Sequence, residues 1–136
     1  MTDTVIETRS VVLERELPYP PEKIWRALTQ PHLMEEWLMK TDFSPVPDHR
    51  FSFKAAWGEI ECRVLTVEQH RALSYTWVSS GLDSVVNWTL TPTGAGTTLR
   101  MEQQGFRPDQ PQAYGGAKAG WPRFLGKLEA VLTGLS

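Results

Sequence analysis

Leu17-Pro-Tyr-Pro-Pro-Glu-Lys-Ile-Trp-Arg-Ala-Leu-Thr-Gln-Pro-His-Leu-Met-Glu-Glu-Trp-Leu38 reads as the end of a strand followed by two clipped helices, each carrying a tryptophan. Pro18, Pro20 and Pro21 end the strand. Proline is tolerated in a first helical turn, and Glu22 suits the positive end of the helix dipole, so a helix is predicted from Pro21 to Thr29. Ile24, Trp25 and Leu28 mark its inner face. Pro31 disfavours helical backbone at Gln30 but can open a second helix, in which Leu33, Met34, Trp37 and Leu38 repeat the same spacing. Trp25 is expected in the core and Trp37 nearer a mouth between these helices and the rest of the fold.

Upstream, Val5 to Leu17 sets Val11, Leu13 and Leu17 against Arg9, Glu14 and Glu16, a first strand with imperfect alternation. Downstream, Thr41 to Asp48 is a proline-containing loop, after which Phe51 and Phe53 alternate with Ser52 and Lys54. Gly58 turns the chain, and Ile60, Cys62 and Val64 then oppose Glu59, Glu61 and Arg63 in the clearest strand of the sequence. Glu68-Gln-His-Arg71 and Ser79-Ser-Gly81 are turns flanking the aromatic, β-branched stretch Leu73 to Val78, where Tyr75 and Trp77 share a face. Val86, Trp88 and Leu90 lead into the turn Thr91 to Gly96, and Leu99, Met101 and Gln103 continue the alternation beyond it. Short connections between successive strands predict an antiparallel meander.

The last element starts near Asp109 or Gln110, with Pro111 in its first turn. Its apolar stripe is Tyr114, Ala117, Trp121, Phe124, Leu125, Leu128 and Leu132. An interior proline removes a backbone hydrogen bond at a cost of about 3 kcal/mol. Gly120 to Pro122 therefore predicts either a bend or a looser lead-in to a helix beginning at Trp121. An amphipathic helix cannot bury its stripe alone, so it must lie across the concave face of a strongly bent sheet. The order is strand, helix, helix, five strands, long helix: an α+β domain with a six-stranded antiparallel sheet and two short helices between strands 1 and 2.

The 136 residues suit a single domain, 40% of them are hydrophobic, and no linker or repeat divides them. A net charge of −2 with no basic block argues against nucleic acid. No window reaches the apolar length of a membrane span and the first residues lack a signal-peptide pattern, so a cytoplasmic protein without membrane association is expected.

Pro20-Pro-Glu-Lys-Ile-Trp-Arg-Ala-Leu-Thr29, Leu33, Trp37, Leu73-Ser-Tyr-Thr-Trp77, Gly96-Thr-Thr-Leu99, Gly105-Phe106 and Gly120-Trp121 occur in an order and spacing that resemble the activator of heat-shock-protein-90 ATPase homologue family. That family lies within the START-like, pollen-allergen-like helix-grip superfamily, and the resemblance covers nearly the whole chain. It implies a helix-grip fold over residues 1–136, with a space between helix and sheet that relatives use for apolar molecules. It does not imply a co-chaperone: the founding activators carry a separate N-terminal domain for chaperone contact, for which this chain has no room. A polyketide cyclase or dehydratase-like enzyme, a chaperone-binding or regulatory module, and a homodimer stay open as alternatives.

Aromatic side chains on a concave face supply most of the contact area for a small apolar ligand. The candidates for lining such a site are Trp37, Phe53, Trp77, Trp88, Met101, Phe106, Trp121 and Leu125, with Tyr75 and Gln103 as inward polar groups that must find partners. Catalytic, metal and cofactor residues are not assigned. His32, His49 and His70 lie near turns or a helix start without ligand spacing. Glu35, Glu36, Glu59 and Glu61 face outward, and Cys62 reads as a buried strand residue without a partner. Gly94-Ala-Gly96 and Gly115-Gly116 lack the context of a phosphate loop and read as turn and close-packing glycines.

Overall fold

The computed structural model describes residues 8–79 and 81–135. The predicted start of the first strand at Val5 and the N-terminal stretch 1–7 lie outside the described residues. The elements run β1 (Arg9–Leu17), α1 (Pro21–Thr29), α2 (Pro31–Trp37), β2 (Lys40–Thr41), β3 (Arg50–Ala55), β4 (Gly58–Glu68), β5 (Ala72–Ser79), β6 (Leu82–Pro92), β7 (Thr97–Phe106) and α3 (Pro111–Gly134). The proline reading of the opening segment holds. Gln30 is extended, with φ −95° and ψ 119°, and forms the joint at which α1 ends and α2 begins. Ile24, Trp25, Ala27 and Leu28 of α1 and Leu33, Met34 and Trp37 of α2 are buried.

The strands form one antiparallel sheet in the order β1-β7-β6-β5-β4-β3-β2. The sheet has seven strands, where alternation predicted six. The additional strand, β2, has two residues, too few to show any period, and lies where the sequence reads as the beginning of a loop. It pairs Lys40 with Lys54 and Thr41 with Phe53, and Thr41 Oγ1 donates to the Ser52 carbonyl at 2.8 Å.

Two glycines shape opposite ends of the β1–β7 pair. Gly105 has φ +116° and sits at a register break in the β1–β7 pairing, where Arg9 faces Phe106 and Ser10 faces Gln104. A side chain would be strained there and would also press on the Asp83 carbonyl. The bulge resets the alternation, so that Gln103 and Phe106, three residues apart, both point inward and are both buried. Gly96 passes so close to β1 that a Cβ would collide with the Leu17 carbonyl. Beside it, Thr97 Oγ1 donates to the Tyr19 carbonyl at 2.7 Å.

α3 is one continuous helix of 24 residues with Pro122 inside it, so the looser lead-in before Trp121 is not seen. The missing amide leaves the Lys118 carbonyl without its usual helical donor. Trp121, Leu125, Leu128 and Leu132 are the buried stripe, and the helix packs against α1, α2 and β1. No helix among the described residues is long and apolar enough to cross a membrane.

Candidate functional site

The two halves of α3 differ in side-chain bulk. The C-terminal half sets three leucines, Leu125, Leu128 and Leu132, into the core. On its N-terminal half, Ala113, Gly116, Ala117 and Gly120 recur at helical spacing and put little bulk toward the sheet, Ala113 and Ala117 being only partly buried against the core. A Cβ built on Gly116 meets nothing within 4 Å, and one on Gly120 meets only the Phe124 ring at 3.9 Å. The result is an open-sided pocket of about 540 Å³ between this half of α3 and the strands. Its size is within the range of small-molecule sites.

Trp77 of β5, Phe106 of β7, and Trp121 and Phe124 of α3 form the aromatic part of the wall. Ile60, Leu82 and Ala55 complete the sheet side, while Met39 and Trp57 stand at the rim. Trp57 lies in the β3–β4 turn and is 65% exposed, unusual for so large an apolar ring. Ser79, Gln103 and Gln112 are the polar side chains of the wall, and none of its described residues is titratable.

Gln103 is buried, and its carboxamide links α3 to the sheet. Trp121 Nε1 donates to Gln103 Oε1 at 2.7 Å, Gln103 Nε2 donates to Ser84 Oγ at 2.9 Å, and Ser84 Oγ donates to the Trp77 carbonyl at 2.8 Å. Tyr75 is the other inward polar group, and its hydroxyl accepts from Trp88 Nε1 at 3.0 Å. Both predicted polar residues therefore find ordinary internal partners.

Of the ten side chains predicted as lining, Trp77, Gln103, Phe106 and Trp121 reach the pocket wall. Trp37, Phe53, Tyr75, Trp88, Met101 and Leu125 lie one layer deeper, in the core. Trp37 is fully buried and does not line the rim expected for it. Its indole donates to the Ala27 carbonyl at 2.8 Å, and its ring meets Trp88 edge-on at 5.7 Å. Trp88 in turn backs Trp121, and Phe53 backs Trp77, so these rings support the wall from behind. Gly115 and Gly116 are not close-packing glycines: both lie within α3, and a Cβ on either finds open space. Sequence reading missed Phe124, Ile60, Leu82, Met39, Trp57 and Gln112, among others, as wall residues. The small-residue spacing from Ala113 to Gly120 was a visible sign of the gap they enclose.

Asp42, Arg50, Glu59, Glu61, Cys62 and Arg63 line a second, more polar pocket of about 490 Å³, which none of the histidines borders. His32 and His70 are exposed, and His49 Nε2 lies 3.2 Å from the Asp42 carbonyl. Among the described residues no group of three or more His, Cys, Asp or Glu side chains could hold a metal ion. Burial pushes the Cys62 thiol far above its usual range, with the carboxylates of Asp42 and Glu61 adding to the effect. Burial does the same to the Tyr75 phenol, against the bond from Trp88.

The model of the Activator of Hsp90 ATPase homolog 1-like protein family matches residues 18–133. The chain belongs to this family. The motifs from Pro20 to Trp121 that carry the resemblance lie within the matched span. Among curated proteins no sequence matches. Protein MLL2253 of Mesorhizobium loti is 60% identical, with a TM-score of 0.90 over 92% of this chain and 97% of that one. DynU16, a protein of the dynemicin biosynthetic locus, is 26% identical, with a TM-score of 0.80 over 91% of this chain and 47% of its own. CalU16 of Micromonospora echinospora shares the fold at 24% identity, with a TM-score of 0.81 over 92% of this chain and 76% of its own.

Proposed function

We propose that this member of the family binds a small, neutral, hydrophobic or aromatic molecule in the pocket between the sheet and α3. The observation that carries the reading is a pocket of about 540 Å³ walled by Trp77, Phe106, Trp121 and Phe124, with no titratable group on its described wall. Transferring a charged ligand there would strip its hydration without offering a counter-charge, which is strongly unfavourable. The same wall offers no side chain suited to proton transfer, which favours binding over turnover. Likeness to DynU16, from a biosynthetic locus, is compatible with a small-molecule ligand.

Affinity would come from apolar burial. A ligand of about 20 non-hydrogen atoms at about 0.3 kcal/mol each gives about 6 kcal/mol, a Kd in the tens of micromolar. Two measurements test this. Native mass spectrometry of protein purified from its own host should show a retained small molecule. Titration with the neutral dye N-phenyl-1-naphthylamine should give saturable fluorescence enhancement. Absence of both, no retained species and no saturation, refutes the reading.

A further inference from the structure

The hydrogen-bond chain through Gln103 fixes more than packing. An indole N–H is a donor only, so the carboxamide atom facing Trp121 must be the oxygen, Oε1. Ser84 Oγ uses its own hydrogen on the Trp77 carbonyl and is left as an acceptor for Nε2. The two ends therefore agree on one orientation of the amide. A flipped Gln103 would set N–H against N–H at Trp121 and leave Ser84 without its donor.

Held this way, Nε2 has spent one of its two hydrogens. The other has no acceptor in the hydrogen bonds formed among the described residues, although Gln103 is 2% exposed and borders the pocket. Nε2 is itself partnered through Ser84, so its second hydrogen is spare donor capacity that a ligand acceptor can take up. The remaining polar side chains of the wall are less constrained: Gln112 is exposed and Ser79 half-buried. Gln103 is thus the one wall amide whose direction is set before any ligand arrives, a preorganised contact of the kind that gives specificity to an apolar pocket.

We infer that Gln103 is the specificity-determining contact of the pocket, and that the ligand is a neutral aromatic or alicyclic compound presenting a carbonyl oxygen to the free Nε2 hydrogen. This rests on the proposed binding function and narrows its ligand class. Trp121 and Ser84 act as positioning residues for the amide, and Phe106, turned inward by the bulge at Gly105, flanks it on the same strand.

The test uses two probes of matched shape, 2-acetylnaphthalene and 2-isopropenylnaphthalene, which differ in having a carbonyl oxygen or a methylene at one position. Binding of both to the wild type and to Gln103→Met is measured by calorimetry. The variant should raise the Kd of the ketone about three- to tenfold more than that of the hydrocarbon, the value of one neutral hydrogen bond. The carbonyl stretch of the ketone bound to wild type, read by infrared difference spectroscopy, should lie below its value in hydrocarbon solvent. That measurement needs no variant and stands if Gln103→Met fails to fold. An unshifted stretch, or equal effects of the variant on both probes, overturns the carbonyl contact while the pocket reading survives. Failure of both probes to bind the wild type at all overturns the contact and the pocket reading together.

Discussion

Replacing Gly116 by leucine tests the pocket without damaging the fold. Gly116 lies inside α3, and a Cβ there meets nothing within 4 Å, so the new isobutyl group enters the pocket instead of the core. Glycine in a helix interior costs about 0.8–1 kcal/mol relative to alanine, and leucine is nearly as good a helix former as alanine, so stability should rise by about 0.7 kcal/mol. For a chain of this length that is a Tm increase of about 2–4 °C. Binding should move the other way. Losing burial of about two methylene equivalents of ligand, at about 0.8 kcal/mol each, weakens affinity by about tenfold or more. Gly115→Leu is the matched control: it has the same helical setting and the same open space at its Cβ, but does not border the pocket. Thermal melts followed by circular dichroism and N-phenyl-1-naphthylamine titrations on all three proteins give both quantities. If Gly116→Leu is stabilised but binds the dye as well as wild type and Gly115→Leu do, the ligand does not sit beneath α3. If it is destabilised, the space at Gly116 is not open.

Gly96→Ala should be among the most damaging small substitutions in the chain, because its methyl group collides with the Leu17 carbonyl and backbone must move to admit it. A loss of about 3 kcal/mol in urea unfolding is expected, at the upper end of ordinary overpacking, and a loss below about 1 kcal/mol would show the approach to be looser than described. Alkaline pH should also destabilise the fold. Burial raises the Cys62 and Tyr75 pKa values, so the folded chain keeps protons that the unfolded chain sheds above about pH 8.5 for the thiol and about 10 for the phenol. Their contribution is complete below those values and falls as pH rises past them, by at most about 1.4 kcal/mol per pH unit for each group. Cys62→Ala should flatten the decline in denaturant midpoint between about pH 8.5 and 10; an unchanged slope would remove the thiol from the account.

The elements of the fold were legible because their signals are local. Prolines bracket α1 and α2, alternation marks β3 to β7, and a long apolar stripe marks α3. The two-residue β2 was not, since pairing with β3 is a tertiary event that leaves no period in Lys40–Thr41. The site was legible by face but not by depth. Trp77 and Trp88 both point inward from neighbouring strands, yet Trp88 is closed off behind Trp121 while Trp77 borders open space. Alternation cannot tell those fates apart. What settles them is the bulk opposite each strand, and on α3 that bulk drops from leucine to alanine and glycine toward the N-terminus. Trp37 was misplaced for a related reason: its spacing gives the inner face of α2, but its depth is set by the Ala27 carbonyl that takes its indole hydrogen.

The tryptophans also determine how this protein will look to light. Trp37, Trp88, Trp121 and Trp77 are joined in series by ring contacts of 5.7, 5.7 and 5.4 Å. Indoles this close are expected to exchange excitation before they emit, so quenching at one of these four should spread to its ring neighbours. A quencher resting against Trp121 should dim Trp37, two contacts away and fully enclosed. Emission from these four should report occupancy jointly, whereas Trp57, out on its turn, is placed to act as a separate lamp at the pocket rim.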